Sequence, residues 1–168
     1  MQVVFQAEAI NDYIERLQNE TSAAIVSNFL SDNTAEITEI VRRNNRRVFG
    51  TQGQNLNEDW GAYKTTGKGR SGKVRVEGRP VNLVDTGNLL ASMVTVSLRR
   101  EGNRIFWESD VDYSQYVAEN YVIYGVDGEA LNEIAALWGG WFQNRMTAIT
   151  NEGGGDVLSR IMSFFRGR

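Results

Sequence analysis

The stretch Val81 to Met93, VNLVDTGNLLASM, decides how this chain is read. Two apolar residues followed by Asp85-Thr86-Gly87 are how the catalytic aspartate of an aspartic protease is usually written, and such enzymes of the dimeric type are almost wholly β. Their chemistry needs two aspartates that share one proton. The 168-residue chain contains one Asp-Thr-Gly, so a dimer would have to supply the second. The pattern before the motif is predominantly helical, and NLLASM after it reads as a helical turn. A loop-to-helix corner explains the same residues. Asp85 or Thr86 is expected to cap a helix starting near Gly87, with Leu89, Leu90 and Met93 on its inward face. Gly87 would allow a close approach or an unusual backbone angle. The corner belongs to an α+β fold and the dyad to a β fold.

Working outward, Phe5, Ala9, Ile10, Tyr13, Ile14 and Leu17 line one face of a first helix. Asn19 to Ser22 offer capping chemistry, and Ile25, Phe29, Ile37, Ile40, Val41 and Val48 continue a helical stripe interrupted around Ser31 to Thr34. A second, broken helix is therefore predicted to run to about Phe49. Gly50 to Pro80 holds much of the glycine and the single proline without periodicity, and is read as a long loop anchored by Trp60 to Tyr63. Val94, Val96 and Leu98 alternate with polar residues, which predicts a half-buried strand; REGNR turns it into a partner strand at IFWES. Tyr113, Tyr116, Val117 and Tyr121 are spaced for a short aromatic helix, and YVIYGVDG leads out of it as an extended segment or turn. From Glu129 to Thr150 runs the strongest amphipathic pattern, with Leu131, Trp138, Trp141 and Phe142 taken as core. The expected architecture is a small antiparallel sheet packed with N-terminal and C-terminal amphipathic helices, carrying a long inserted loop at about 50–80. Residues 1–152 read as one domain. Behind the glycines of NEGGGD, residues 153–168 read as a flexible tail whose short helix presents Phe164 and Phe165 to a neighbouring subunit.

Composition narrows the chemistry. Cys and His are both absent, which removes thiol nucleophiles, the usual zinc ligands and the commonest general base. A hydrophobic content of 41% argues for a folded chain. The N-terminus lacks the features of a signal peptide and no segment is long and apolar enough to span a bilayer, so a soluble protein is expected. The net charge of -3 argues against a dedicated nucleic-acid binder. Yet Lys64, Lys68, Arg70, Lys73, Arg75 and Arg79 cluster against a single Glu77. Within them GKGRSGKV matches a phosphate-binding loop up to Val74, where the magnesium-binding hydroxyl should stand; with no strand before and no helix after, a solvated basic loop is expected. Its cations are suited to phosphates or to an acidic protein surface.

Between Val48 and Tyr121 the chain resembles the virion-morphogenesis and tail-completion proteins of tailed bacteriophages. VFGTQGQNLNEDWGAYKTTGKG precedes LVDTGNLLASM, a hairpin follows, and DYSQYVAENY comes after it. The family's signature falls on Leu83, Asp85, Thr86, Gly87, Leu89 and Ser92, with Trp60 before it and Tyr113, Tyr116 and Val117 after it. Ser114 replaces the family's usual Ala, Asn120-Tyr121 replaces a common Gly-Thr, and the C-terminal Arg-Pro-Phe segment of many members is missing. The resemblance implies a structural subunit without catalysis, cofactor or metal, located in the virion at the head-tail junction after synthesis in the host cytoplasm. It implies a homo-oligomeric ring, a hexamer favoured over a dodecamer, joining portal or head-closure proteins to the tail. Tail terminator and head closure are neighbouring alternatives. A hydrolase using Asp85 and a DNA-binding accessory protein using the basic loop are readings of other classes.

Overall fold

The structure, a computed structural model, describes residues 22–152. The predicted helix at Phe5 to Leu17, the caps at Asn19 to Thr21, and the tail with Phe164 and Phe165 lie outside these residues.

The broken helical stripe forms α1 (Ser22–Asp32) and α2 (Thr34–Gly50). Their joint is made by side chains that compete with the helix for its carbonyls. Asn33 donates both its backbone N–H and its Nδ2 to the Phe29 carbonyl, and Thr34 Oγ1 donates to that of Leu30. Beyond the joint, α2 buries Ile37, Ile40, Val41, Asn44, Asn45, Val48 and Phe49, the spacing of a single face. It is the central helix, packed against both α3 (Asn88–Val94) and α5 (Gly128–Glu152). The remaining helix, α4 (Ser114–Asn120), is the predicted short aromatic one.

Two apolar clusters share this scaffold. In one, Val48 and Phe49 of α2 meet Trp60, Val81, Leu89, Met93 and Ile123. In the other, Phe29, Ile37, Val41 and Val96 are covered by Leu137, Trp138 and Trp141 of α5. Trp107 packs against both. Each fully buried aliphatic side chain contributes about 2 kcal/mol, and α2 supplies such residues to both clusters.

The fold is α+β, with the β structure divided into two small antiparallel pairs instead of one sheet. β1 (Gly67–Lys68) pairs with β2 (Val74–Arg75), and β3 (Arg99–Glu101) pairs with β4 (Arg104–Phe106). The predicted strand at Val94 to Leu98 is displaced: Val94 ends α3, and the hairpin begins at Arg99. Val96 does point inward and is buried. The Thr95 and Val96 carbonyls, however, accept from the Arg42 guanidinium at 3.3 and 3.0 Å, so no strand is needed to satisfy them.

The predicted structureless loop is also corrected. A 3-10 turn (Gln54–Leu56) brings Trp60 into the core, as anticipated from the sequence. The chain then leaves as an arm, an antiparallel ladder that closes on itself. Val81 N–H donates to the Gly61 carbonyl at 2.8 Å, Ala62 bridges Pro80, and Tyr63 N–H donates to the Arg79 carbonyl at 2.9 Å. At the far end Gly69 N–H donates to the Lys73 carbonyl at 2.8 Å. Its short strands are exposed on both faces and therefore lack the period-two apolar signal that marks a strand in sequence.

The C-terminal helix is less buried than predicted. Only Ala130 of its described side chains is fully buried, while Leu131 and Phe142 are 56% and 42% exposed. Trp138 and Trp141 pack edge-on against Phe29, at ring centroid distances of 4.9 and 5.6 Å.

Candidate functional site

Two loops of opposite charge are fixed by the short helix α3, whose seven residues span about 10 Å at the standard rise. At its N-terminal end stands Asp85. Asp85 does not cap α3: the N-cap position is Gly87, at φ +84°, which has no side chain to bond the first turn. Gly87 supplies the unusual backbone angle expected of it. Thr86 accepts from the Asn88 N–H at 3.3 Å, a local turn, and Asp85 turns away from the helix altogether.

Asp85 reaches the tip of the arm. The Ser71 hydroxyl donates to Oδ1, the Ser71 N–H donates to Oδ2 at 3.4 Å, and Arg75 lies 3.8 Å from Oδ2. A Cβ on Gly69 would run into this carboxylate, so a larger residue there would push Asp85 aside. The GKGRSGK segment that imitates a phosphate-binding loop thus cradles an anion supplied by its own chain. The two misleading motifs of the sequence are halves of one contact. The Ser71 hydroxyl bond, followed by the Ser71 and Arg70 amides and the Arg75 charge, holds the Asp85 carboxyl below its ordinary pKa against a smaller opposing effect of desolvation. A proton-sharing dyad needs a second carboxylate instead; the groups acting on Asp85 are Ser71, Arg70 and Arg75.

Further contacts zip the arm to residues 82–84. The Tyr63 phenol donates to the Asn82 carbonyl at 2.8 Å and accepts from its N–H at 2.9 Å, and Lys73 Nζ donates to the Val84 carbonyl at 3.4 Å. Arg75 lies over the Tyr63 ring at 6.0 Å. Lys64, Lys68, Arg70 and Arg79 remain exposed, with no side-chain partner among the described residues.

The tether predicts a pH-dependent arm. A depressed carboxyl pKa means that the contact is fully present above the unfolded value, about 4, and is lost as pH falls through the lower folded value. Asp85→Ala should therefore speed amide exchange at Arg70 and Ser71 at neutral pH and expose Lys68 and Arg70 to trypsin. The wild-type arm should reach the same state only in acid, and equal exchange rates in the two proteins at pH 7 would refute the tether.

Ser92, near the other end of α3, organises the acidic segment 108–112. Its hydroxyl lies 2.8 Å from that of Ser109 and accepts from the Asp110 N–H at 3.2 Å. The Ser109 N–H donates to the Tyr124 hydroxyl at 3.2 Å. Glu108, Asp110 and Asp112 are exposed around a cleft of about 470 Å³. Among the described residues no group of three or more Asp or Glu side chains is arranged to hold a metal ion.

The remaining signature residues divide. Leu89 is buried, and Trp60, Leu83, Tyr113 and Val117 pack in the same cluster. Tyr116 is 69% exposed and takes no part in that cluster.

Sequence reasoning missed a buried polar network on α2. Asn45 Nδ2 donates to the Met93 carbonyl at 2.7 Å, which ties α2 to the end of α3. Asn44 donates to the Gly125 carbonyl and accepts from the Asp127 N–H, both at 2.8 Å. Asp127 receives Arg47 in two bonds of 2.9 and 3.0 Å and caps α5 by accepting from the Ala130 N–H at 2.8 Å. The signal was present: Val41, Asn44, Asn45 and Val48 share the i, i+3, i+4, i+7 face, so the asparagines had to be buried with partners. Set against protein-family models, curated proteins and solved structures, the chain has no match.

Proposed function

We propose that this chain is a structural subunit of the tailed-phage neck, a tail-completion or head-tail joining protein that assembles as a ring between portal or head-closure proteins and the tail. The observation that carries the reading is convergence. The separated segments that carry the resemblance, from Val48-Phe49 through Trp60, Leu83 and Leu89 to Tyr113, Val117 and Tyr121, pack in one cluster. Residues selected for packing account for a single Asp-Thr-Gly, and Asp85 is engaged by Ser71 and Arg75 and not by a second carboxylate, which speaks against the hydrolase alternative. The arm gives such a subunit an extended, charged element with which to reach a neighbour. Tail terminator and head closure remain the alternatives within the same class.

Particles assembled without the protein should show DNA-filled heads and unattached tails by electron microscopy, and adding the purified protein should join them. Normally joined particles in its absence would overturn the proposal.

A further inference from the structure

We propose that the arm of one copy docks in the acidic cleft of the next copy, making a head-to-tail contact between Lys68 and Arg70 on one side and Asp110 and Asp112 on the other. This rests on the reading of the chain as a self-assembling subunit and names the surface that would do it.

The charge distribution carries the inference. Between Lys64 and Arg79 lie six of the chain's 18 Lys and Arg and one of its 21 Asp and Glu, a net +5, which leaves -8 on the remainder. Neither side satisfies the other within one molecule. Lys64, Lys68, Arg70 and Arg79 have no ion-pair partner among the described residues, and neither do Asp110 and Asp112. The arm's internal cations are already committed, Arg75 to Asp85 and Lys73 to the Val84 carbonyl, so the tip presents Lys68 and Arg70 outward on a fixed base.

The receiving side is equally preformed. Asp110 is held through its backbone by Ser92, and the cleft of about 470 Å³ is walled by Glu108, Asp110, Asp112 and Gln115 with Trp107 and Tyr124 lining it. Arm and cleft are different surfaces of the same chain, so their contact is heterologous and builds rings when the rotation closes. A nucleic acid fits less well, because the -8 remainder repels a polyanion that only the arm attracts.

The test is charge reversal with rescue, read by sedimentation of the full chain across protein and salt concentrations. Wild type should self-associate, about tenfold more weakly at high than at low salt. K68E/R70E and D110K/D112K should each weaken association about tenfold or more. An equimolar mixture of the two, or one chain with all four changes, should restore it, which a merely structural role would not do. All four side chains are exposed, so unchanged melting confirms that each variant folds. Association indifferent to both reversals would overturn the inference, as would arm variants that lose salt-sensitive binding to duplex DNA while still associating normally. A chain that stays monomeric at every concentration also overturns it, without touching the neck reading, which depends on particle morphology.

Discussion

Trp60→Ala should lower the unfolding free energy by about 4 kcal/mol, with Trp60→Phe costing only about 1 kcal/mol. The indole stands where the arm leaves the body. It is buried between Phe49 and Tyr121, edge-on to both at centroid distances of 5.6 and 6.1 Å. Removing it opens a cavity in the cluster that also holds Val81, Leu89 and Met93. Phe retains most of the ring and disposes of Nε1–H, a buried donor with no partner, so lost volume is offset by relief of an unsatisfied group. Urea denaturation followed by far-ultraviolet circular dichroism separates the two variants, because three other tryptophans complicate fluorescence. Equal destabilisation by Ala and Phe would show that the indole N–H, not the ring volume, stabilises the site.

Asp127→Ala should cost about 3 kcal/mol, and Asp127→Asn about half as much. The carboxylate, with 3% of its side chain exposed, pairs with Arg47 in two bonds and caps α5 at Ala130. Alanine removes the cap and leaves the guanidinium without its main acceptor; asparagine retains the cap and loses the charge. The bonds from Arg47, followed by the Ala130 N–H and the Arg47 charge, outweigh desolvation and hold the Asp127 carboxyl below its ordinary value. The contribution is therefore complete above pH 4 or so and disappears as pH falls through the lower folded pKa. Wild-type and Asp127→Ala stability curves should converge in acid. A gap that stays constant below pH 3 would contradict this account.

Both effects act on the platform that holds the arm. Trp60 fixes the point from which it departs, and Asp127 with Asn44 fixes the segment that places Ile123 in the same cluster. Asp85 acts later in the hierarchy, on the arm's orientation and not on global stability. Loss of assembly in an Asp85 variant with unchanged melting would thus report on the arm alone.

The amino-acid order determined the helices, because a 3.6-residue apolar repeat is a local property: α2, α3, α4 and α5 all follow from their stripes. It also determined that Trp60 is an anchor, that Gly87 takes a special backbone angle, and that Asp-Thr-Gly occurs once in the chain. Only tertiary structure decided what Asp85 does. Capping is the local choice, yet the carboxylate binds Ser71, 14 residues earlier, because the arm folds back and offers a hydroxyl, amides and a cation together. The arm itself was hidden, since two-residue strands with both faces in water leave no apolar period to read. Likewise Arg42 captured the carbonyls of Thr95 and Val96 from across the chain and displaced a strand that alternation alone predicts. Periodicity reports which face a segment buries; the partner that satisfies each polar group is set by contacts distant in sequence, and those place both charged loops at the ends of α3.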